Sequence, residues 1–155
     1  MRRLILRESG PVYVDANPAI YWFEKIERYA SASAPLGDAI HDQRMPAVTS
    51  ALTLLEVLVK PLRDGNDDLI ATYRRVFLNT KGLDCLGIDQ KILDLATRLR
   101  ADHRLKTPDA IHAATALNAG ASMLVTNDSD FRRVSGLHVV LLDEIVNLGH
   151  SNGPI

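Results

Sequence analysis

The stretch that decides the fold is Val12-Tyr13-Val14-Asp15-Ala16-Asn17-Pro18, in which a short apolar run gives way to a helix start. The apolar triplet predicts a first β-strand that ends at Asp15. Asn17 followed by Pro18 predicts an N-cap with proline at the first helical position, and we expect this helix to run to about Tyr29. A strand followed directly by a helix is typical of the βαβ units of a parallel sheet.

The same alternation of short apolar runs and helical segments continues along the chain. Further strands are predicted at 46–49, 83–88, 123–125 and 139–142. Further helices are predicted at 36–42, 51–59, 67–78, 92–99 and 107–118. Breaks are expected at 31–35 and at Pro61. The pattern predicts an α/β fold with a central parallel sheet of about five strands.

Composition indicates one globular domain. The 155 residues include 18 Lys+Arg and 19 Asp+Glu, and 46% are hydrophobic, which excludes a disordered chain and a broadly basic surface. The single Cys85 excludes an internal disulfide and a cysteine zinc site, and it favours a reducing, cytoplasmic location. Apolar runs are too short for a signal peptide or a membrane span. We expect an N-terminal extension at 1–10, a domain at 11–147 and a flexible tail at 148–155.

Several carboxylates follow predicted strands or begin helices, where open parallel sheets place their active sites. They are Asp15, Asp109, Asp128 and Asp130. Each alone has a structural explanation as a helix cap or a turn residue. Glu56 differs, because its helix is apolar on nearly every side. A carboxylate there requires a cation, a hydrogen-bond donor or an exposed edge.

Acids that converge on one sheet edge repel one another unless a cation neutralises them. Hard divalent cations such as Mg²⁺ and Mn²⁺ favour oxygen ligands and accept a substrate phosphate as a further ligand. Such an ion can lower the pKa of a bound water and steady the leaving oxygen. The residues therefore indicate metal-assisted hydrolysis of a phosphodiester, in which the 3′ oxygen leaves and a 5′-phosphate remains.

Four motifs occur in an order that resembles the PIN-domain family, and most closely the VapC-type ribonuclease toxins of toxin–antitoxin pairs. The motifs are Tyr13-Val14-Asp15-Ala16-Asn17, Ser50-Ala51-Leu52-Thr53-Leu54-Leu55-Glu56-Val57, Leu105-Lys106-Thr107-Pro108-Asp109-Ala110-Ile111-His112-Ala113-Ala114 and Thr126-Asn127-Asp128-Ser129-Asp130-Phe131. Each motif alone is weak, but four in the family's order and spacing are a strong signal. The resemblance covers about residues 11–145.

The resemblance implies a three-layer α/β/α fold and a metal-dependent endoribonuclease that cleaves single-stranded RNA. It implies four acids that hold Mg²⁺ or Mn²⁺: Asp15, Glu56, Asp109 and Asp128. It also implies residues that line or brace the site: Asn17, Ser50, Thr126 and Asp130. Asp130 is sometimes counted with the ligands, and we favour Asp128 as the direct one. The resemblance further implies a homodimer and a cognate antitoxin that occludes the site.

Other residues near these motifs leave alternatives open. His112 shares a helical face with Asp109, and we interpret it as a partly buried structural histidine rather than a ligand, because a hard cation prefers oxygen. Thr53 either orients Glu56 or is a helix-surface hydroxyl. Candidate phosphate-binding cations near the site are Arg104, Lys106 and Arg132.

Two other functional classes remain as alternatives. One is a phosphate-handling α/β enzyme with Asp15 as acceptor, although Asp15-x-Asn17 lacks the second aspartate of the phosphatase motif. The other is a non-catalytic RNA-binding scaffold of the same fold, against which the complete set of acids argues. The chain contains no Gly-x-Ser-x-Gly elbow, Walker loop or Gly-x-Gly-x-x-Gly motif.

Overall fold

Five parallel strands form one sheet at the centre of the molecule. The computed structural model describes residues 10–150, with the side chains of residues 10–146. The strands are β1 Val12–Val14, β2 Ala47–Ser50, β3 Leu83–Leu86, β4 Met123–Thr126 and β5 Val139–Leu141. Their order across the sheet is β3-β2-β1-β4-β5, and every neighbouring pair is parallel. The predicted α/β class and the number of strands are confirmed.

Helices cover both faces of this sheet. They are α1 Ala16–Phe23, α2 Glu27–His41, α3 Ala51–Asp64, α4 Asp67–Asn79, α5 Gln90–His103, α6 Thr107–Asn118 and α7 Leu142–His150, with a 3₁₀ turn at Ser129–Arg133. Tyr13 and Leu124 face α5 and α6 on one side, whereas Val12 and Val125 face α2 and α7 on the other. The three layers agree with the expected architecture. Within the described residues, no helix is long and apolar enough to cross a membrane.

The first helix begins earlier and ends sooner than predicted. Asp15, rather than Asn17, is its N-cap, and the Asp15 carboxylate accepts the first helical N–H at 2.8 Å. Aspartate and asparagine are about equally favourable at an N-cap, so residue type alone does not distinguish Asp15 from Asn17. The chain turns at Lys25, whose φ is 50°, before it enters α2. The single helix predicted to reach Tyr29 is therefore two helices.

The break predicted at 31–35 is wrong, because α2 runs through it and contains Pro35. An interior proline removes one helical hydrogen bond and costs about 3 kcal/mol. Here the helix buries an apolar face formed by Ala32, Leu36 and Ala39 against the sheet. Packing of this face outweighs the local penalty, so the short helix predicted at 36–42 is the second half of a longer one.

The end predicted for α3 at Pro61 is also wrong. The helix continues to Asp64 and ends at Gly65, whose φ of 64° is the left-handed conformation that glycine adopts without strain. Pro61 is buried on the same side of the helix as Val57 and Leu58. Burial of this face keeps the proline inside the helix.

The C-terminal end contains a helix that the sequence patterns did not predict. Strand β5 ends at Leu141, and α7 begins at the next residue with Asp143 and Glu144 in its first turn. Acidic residues stabilise a helix N-terminus, so this pair was the signal in the sequence from which α7 could have been predicted.

The predicted extension at 1–10 and tail at 148–155 lie largely outside the described residues, and the domain boundaries stay predictions.

Candidate active site at the carboxyl edge of the sheet

The site begins where β1 and β4 end side by side. The backbone N–H of Asp15 donates to the Val125 carbonyl at 3.1 Å, which continues the strand pairing up to Asp15. The Thr126 hydroxyl then donates to Asp15 Oδ2 at 2.7 Å, while Oδ1 accepts the N–H of Ala16. Asp15 is only 6% exposed. Both of its oxygens are therefore held in fixed directions at the sheet edge.

Two helices bring a second acid and a histidine to Asp15. His112 of α6 lies with Nε2 2.8 Å from Glu56 Oε1 of α3 and 3.6 Å from Asp15 Oδ1. Its Nδ1 lies 2.6 Å from the Tyr13 hydroxyl. Asp15, Glu56 and His112 each offer a potential ligand atom, and these atoms lie within 4.8 Å of one another.

A second group of acids surrounds the loop after β4. Asp109, Asp128 and Asp130 place carboxylate oxygens within 4.8 Å of one another. Asp128 Oδ1 accepts the backbone N–H of Asp130 at 2.9 Å, and the N–H of Asp128 donates to the Thr126 hydroxyl at 3.1 Å. Thr126 therefore connects this loop to Asp15, because its hydroxyl contacts both.

The two groups act on each other electrostatically. Partial burial, followed by the negative charges of Asp128 and Asp15, raises the pKa of Asp109. Burial alone would lower the pKa of His112, but the hydrogen bond to Glu56 and the nearby carboxylates outweigh it, and the net pKa is raised. Negative charge at this edge contributes to both shifts, after burial for Asp109 and after the hydrogen bond to Glu56 for His112.

Basic side chains leave most of this charge unpaired. Arg133 pairs with Asp130 at 3.2 Å. Within residues 10–146, no lysine or arginine forms an ion pair with Asp15, Glu56, Asp109 or Asp128.

The donor set fits a hard divalent cation. Carboxylate oxygens predominate in both groups, and they are the ligands that Mg²⁺ and Mn²⁺ prefer. A cation at this edge would also offset the repulsion that, after burial, raises the pKa of Asp109. The residues that could hold it are the four acids predicted from the sequence, with Asp130 beside them.

The remaining predicted site residues lie in different surroundings. Asn17 is exposed on the first turn of α1. Ser50 is fully buried, and its hydroxyl caps α3 by accepting the N–H of Leu52 at 3.1 Å. Arg104 and Lys106 are exposed just before α6, whereas Arg132 is paired with Glu144 on the surface. The functional roles of these residues stay predictions.

Two side-chain contacts within the site were not predicted from the sequence. His112 is 2% exposed, and it contacts Glu56 instead of serving only to pack α6. Tyr13 was not considered, although residues two apart on a strand point to the same face and Tyr13 precedes Asp15 by two. Thr53 is buried, so the surface alternative for it is wrong. Its hydroxyl has no hydrogen-bond partner among the described residues, so the role of orienting Glu56 stays a prediction. The three-residue spacing from Asp109 places His112 on the face of the site, but it does not indicate the contact with Glu56.

A comparison of the sequence with protein families matches the PIN domain over residues 12–137. No curated protein is similar enough in sequence to count as a match.

Solved structures of the same fold include components of toxin–antitoxin systems. A toxin–antitoxin complex from Klebsiella pneumoniae is 26% identical, with a TM-score of 0.63 over 84% of this chain and 97% of that one. VapBC2 from Rickettsia felis, bound to a promoter DNA fragment, is 17% identical, with a TM-score of 0.66 over 84% and 97%. VapC20 from Mycobacterium tuberculosis, a toxin that cleaves the sarcin–ricin loop, is 15% identical, with a TM-score of 0.66 over 81% and 95%.

Proposed function

Because this chain belongs to the PIN-domain family, we propose that it is a Mg²⁺- or Mn²⁺-dependent endoribonuclease that hydrolyses phosphodiester bonds of single-stranded RNA. The observation that carries the proposal is the convergence of Asp15, Glu56, Asp109 and Asp128 on one edge of the sheet with no lysine or arginine paired to them among the described residues. Solved toxins of the same fold support the proposal, and one of them is a toxin that cleaves an RNA loop.

The acids have different roles because they reach the edge from different elements. When bound, a divalent cation polarises the phosphate and favours ionisation of the attacking water. Asp15 presents its oxygens in directions that Thr126 and the start of α1 determine. Glu56 reaches the edge from α3, and its side chain is 32% exposed. One carboxylate accepts a proton from the attacking water, whose oxygen bonds to phosphorus while the bond from phosphorus to the 3′ oxygen breaks. The 3′ oxygen takes a proton from solvent and leaves as a hydroxyl, and the other product carries a 5′-phosphate.

Basic residues beside the acids would bind the RNA backbone. Arg104 and Lys106 are exposed in the connection between α5 and α6, close in sequence to Asp109. Arg132 is also close in sequence to Asp128, but RNA must compete with Glu144 for its guanidinium group. Phosphate contacts of this kind make affinity fall as salt rises.

We further propose a homodimer that acts in the cytoplasm as the toxin of a pair with a cognate antitoxin. The support is the likeness to structures of toxin–antitoxin complexes. A phosphoryl-acceptor role for Asp15 is disfavoured, because both oxygens accept hydrogen bonds and the residue is 6% exposed.

The test is incubation of a pool of structured RNAs with the protein in Mg²⁺ or in EDTA, followed by mapping of the new ends. We expect 5′-phosphate ends in Mg²⁺ alone. Asp15→Asn and Asp109→Asn should abolish cleavage, whereas Asp102→Asn, which changes an exposed acid of α5, should not. Cleavage that persists in EDTA or in both site variants contradicts the proposal. RNA binding without cleavage supports a non-catalytic scaffold instead.

A further inference from the structure

We propose that His112 is a positioning residue that directs the Glu56 carboxylate toward Asp15. The inference rests on the proposed function and adds one residue to it. His112 Nε2 lies 2.8 Å from Glu56 Oε1 and Nδ1 lies 2.6 Å from the Tyr13 hydroxyl. The imidazole is therefore held at both nitrogens, and β1, α6 and α3 are joined in one chain of hydrogen bonds that ends at Glu56.

The hydrogen bond to Glu56 determines what His112 can do. An ionised carboxylate only accepts hydrogen bonds, so the proton of this bond belongs to His112 Nε2. A nitrogen that carries a proton has no free lone pair for a metal ion. Nε2 is also the nitrogen that faces Asp15, at 3.6 Å. His112 therefore acts through Glu56 rather than as a ligand.

Tyr13 holds the other side of the ring. Its side chain is fully buried, and its hydroxyl lies beside that of Thr53. When the ring is neutral, a proton on Nε2 leaves Nδ1 as an acceptor, and the Tyr13 hydroxyl donates to it; when the ring is protonated, Nδ1 donates to the Tyr13 oxygen, and Nε2 carries a proton in both forms. This contact stabilises the tautomer that serves Glu56. It also prevents rotation of the ring away from the site.

The surroundings of His112 argue against a role in packing alone. Its neighbours on α6 are small apolar residues that are 0% exposed: Ala110, Ala113, Ala114 and Ala116. An apolar side chain would suit such a position without the cost of burying two polar nitrogens. The polar atoms instead form a satisfied path from the core to Glu56, the partly exposed end of the chain.

Two amide variants separate positioning from packing and from ligation. His112→Gln places its amide N–H₂ where Nε2 lies and retains a donor to Glu56. His112→Asn has a shorter side chain, whose amide remains near Nδ1 and leaves Glu56 without its donor. Isothermal calorimetry with Mn²⁺ alone, on the full chain without RNA, measures the consequence directly.

We expect His112→Asn to weaken Mn²⁺ binding about 10- to 100-fold, the usual effect of losing a hydrogen bond to a metal ligand. His112→Gln should stay within a few-fold of the unmodified protein. Equal losses in both variants overturn the proposal in favour of packing or direct ligation, and unchanged binding in both overturns it as well.

A second variant serves if His112→Asn does not fold. Tyr13→Phe keeps the ring of Tyr13 and removes only the hydroxyl that holds Nδ1, and it should weaken Mn²⁺ binding by a smaller factor. Unchanged binding in Tyr13→Phe overturns the role of Tyr13 in the chain of hydrogen bonds.

The calorimetric measurement distinguishes this inference from the proposed function. If the Mn²⁺ affinities of the variants follow the expected order but the protein cleaves no RNA, the proposed function fails and the positioning role of His112 stands. If it cleaves RNA while both His112 variants bind Mn²⁺ normally, only the positioning role fails.

Discussion

Thr126→Val tests whether one buried hydroxyl organises the site. Valine has nearly the same shape, so the change removes the hydroxyl and little volume. Thr126 is 0% exposed, and its hydroxyl donates to Asp15 Oδ2 at 2.7 Å and accepts the N–H of Asp128 at 3.1 Å. Both partners lose a contact in the variant.

The magnitude follows from these two partners. A hydrogen bond to a charged group contributes about 1.5–3 kcal/mol, and a polar group left unsatisfied in the interior costs about 1–3 kcal/mol. Asp15 is buried, so the loss of its hydrogen bond costs an amount near the upper end of these ranges. Asp128 is only partly buried, so water can replace part of the hydrogen bond that it loses. We expect Thr126→Val to lower the free energy of unfolding by about 2–4 kcal/mol.

Urea denaturation in EDTA measures this change without any contribution from metal. Thr97→Val is the matched control, because the exposed Thr97 donates only to the Leu93 carbonyl of its own helix, at 2.8 Å. The control should lie within about 0.5 kcal/mol of the unmodified protein. Equal effects in the two variants would refute the assignment of Thr126 as the link between Asp15 and the loop after β4.

The other predictions concern packing, metal and thiol chemistry. Gly37→Ala should lower the free energy of unfolding by about 1–3 kcal/mol, because the new Cβ would clash with the indole ring of Trp22. Gly87→Ala meets no atom within 4 Å and should not show this loss in the same urea titration. Free Mn²⁺ at about 100 times its Kd should stabilise the protein by about 2.7 kcal/mol in thermal melts. Asp109→Asn should remove most of that gain, and an equal gain in the variant would place the ion elsewhere. Burial raises the pKa of Cys85, so its thiolate forms at higher pH in the folded chain. Alkylation by iodoacetamide should therefore require a higher pH than in urea, and identical pH profiles would contradict this.

Local patterns predicted the positions of the strands well, because most strands are short and largely apolar and a helix or a 3₁₀ turn follows each within a few residues. They failed for α2 and α3, where Pro35 and Pro61 lie inside helices. Proline is a strong local signal against a helix, but the balance in both cases depends on the face that the helix buries. Which face is buried depends on the position of the sheet, and a short stretch of sequence does not contain that information.

The candidate site was likewise predictable only in part from the sequence. Asp15, Asp109 and Asp128 could be identified because strand ends and helix starts are visible in the sequence, and Glu56 because its helix is otherwise apolar. Their separation into a group around Asp15 and a group around Asp128 depends on side-chain directions, which spacing does not define. The contact of His112 with Glu56 was not predicted for a related reason, since the three-residue distance of His112 from Asp109 gave no indication that Glu56, 56 positions earlier, faces its Nε2.

The most direct test is anomalous diffraction from crystals of the protein grown with Mn²⁺. The account predicts a manganese peak in contact with carboxylate oxygens of Asp15 and of at least one of Glu56, Asp109 and Asp128. A peak bound only by other residues, or no peak under conditions in which the same preparation cleaves RNA, would contradict the assignment of these acids as the catalytic metal site.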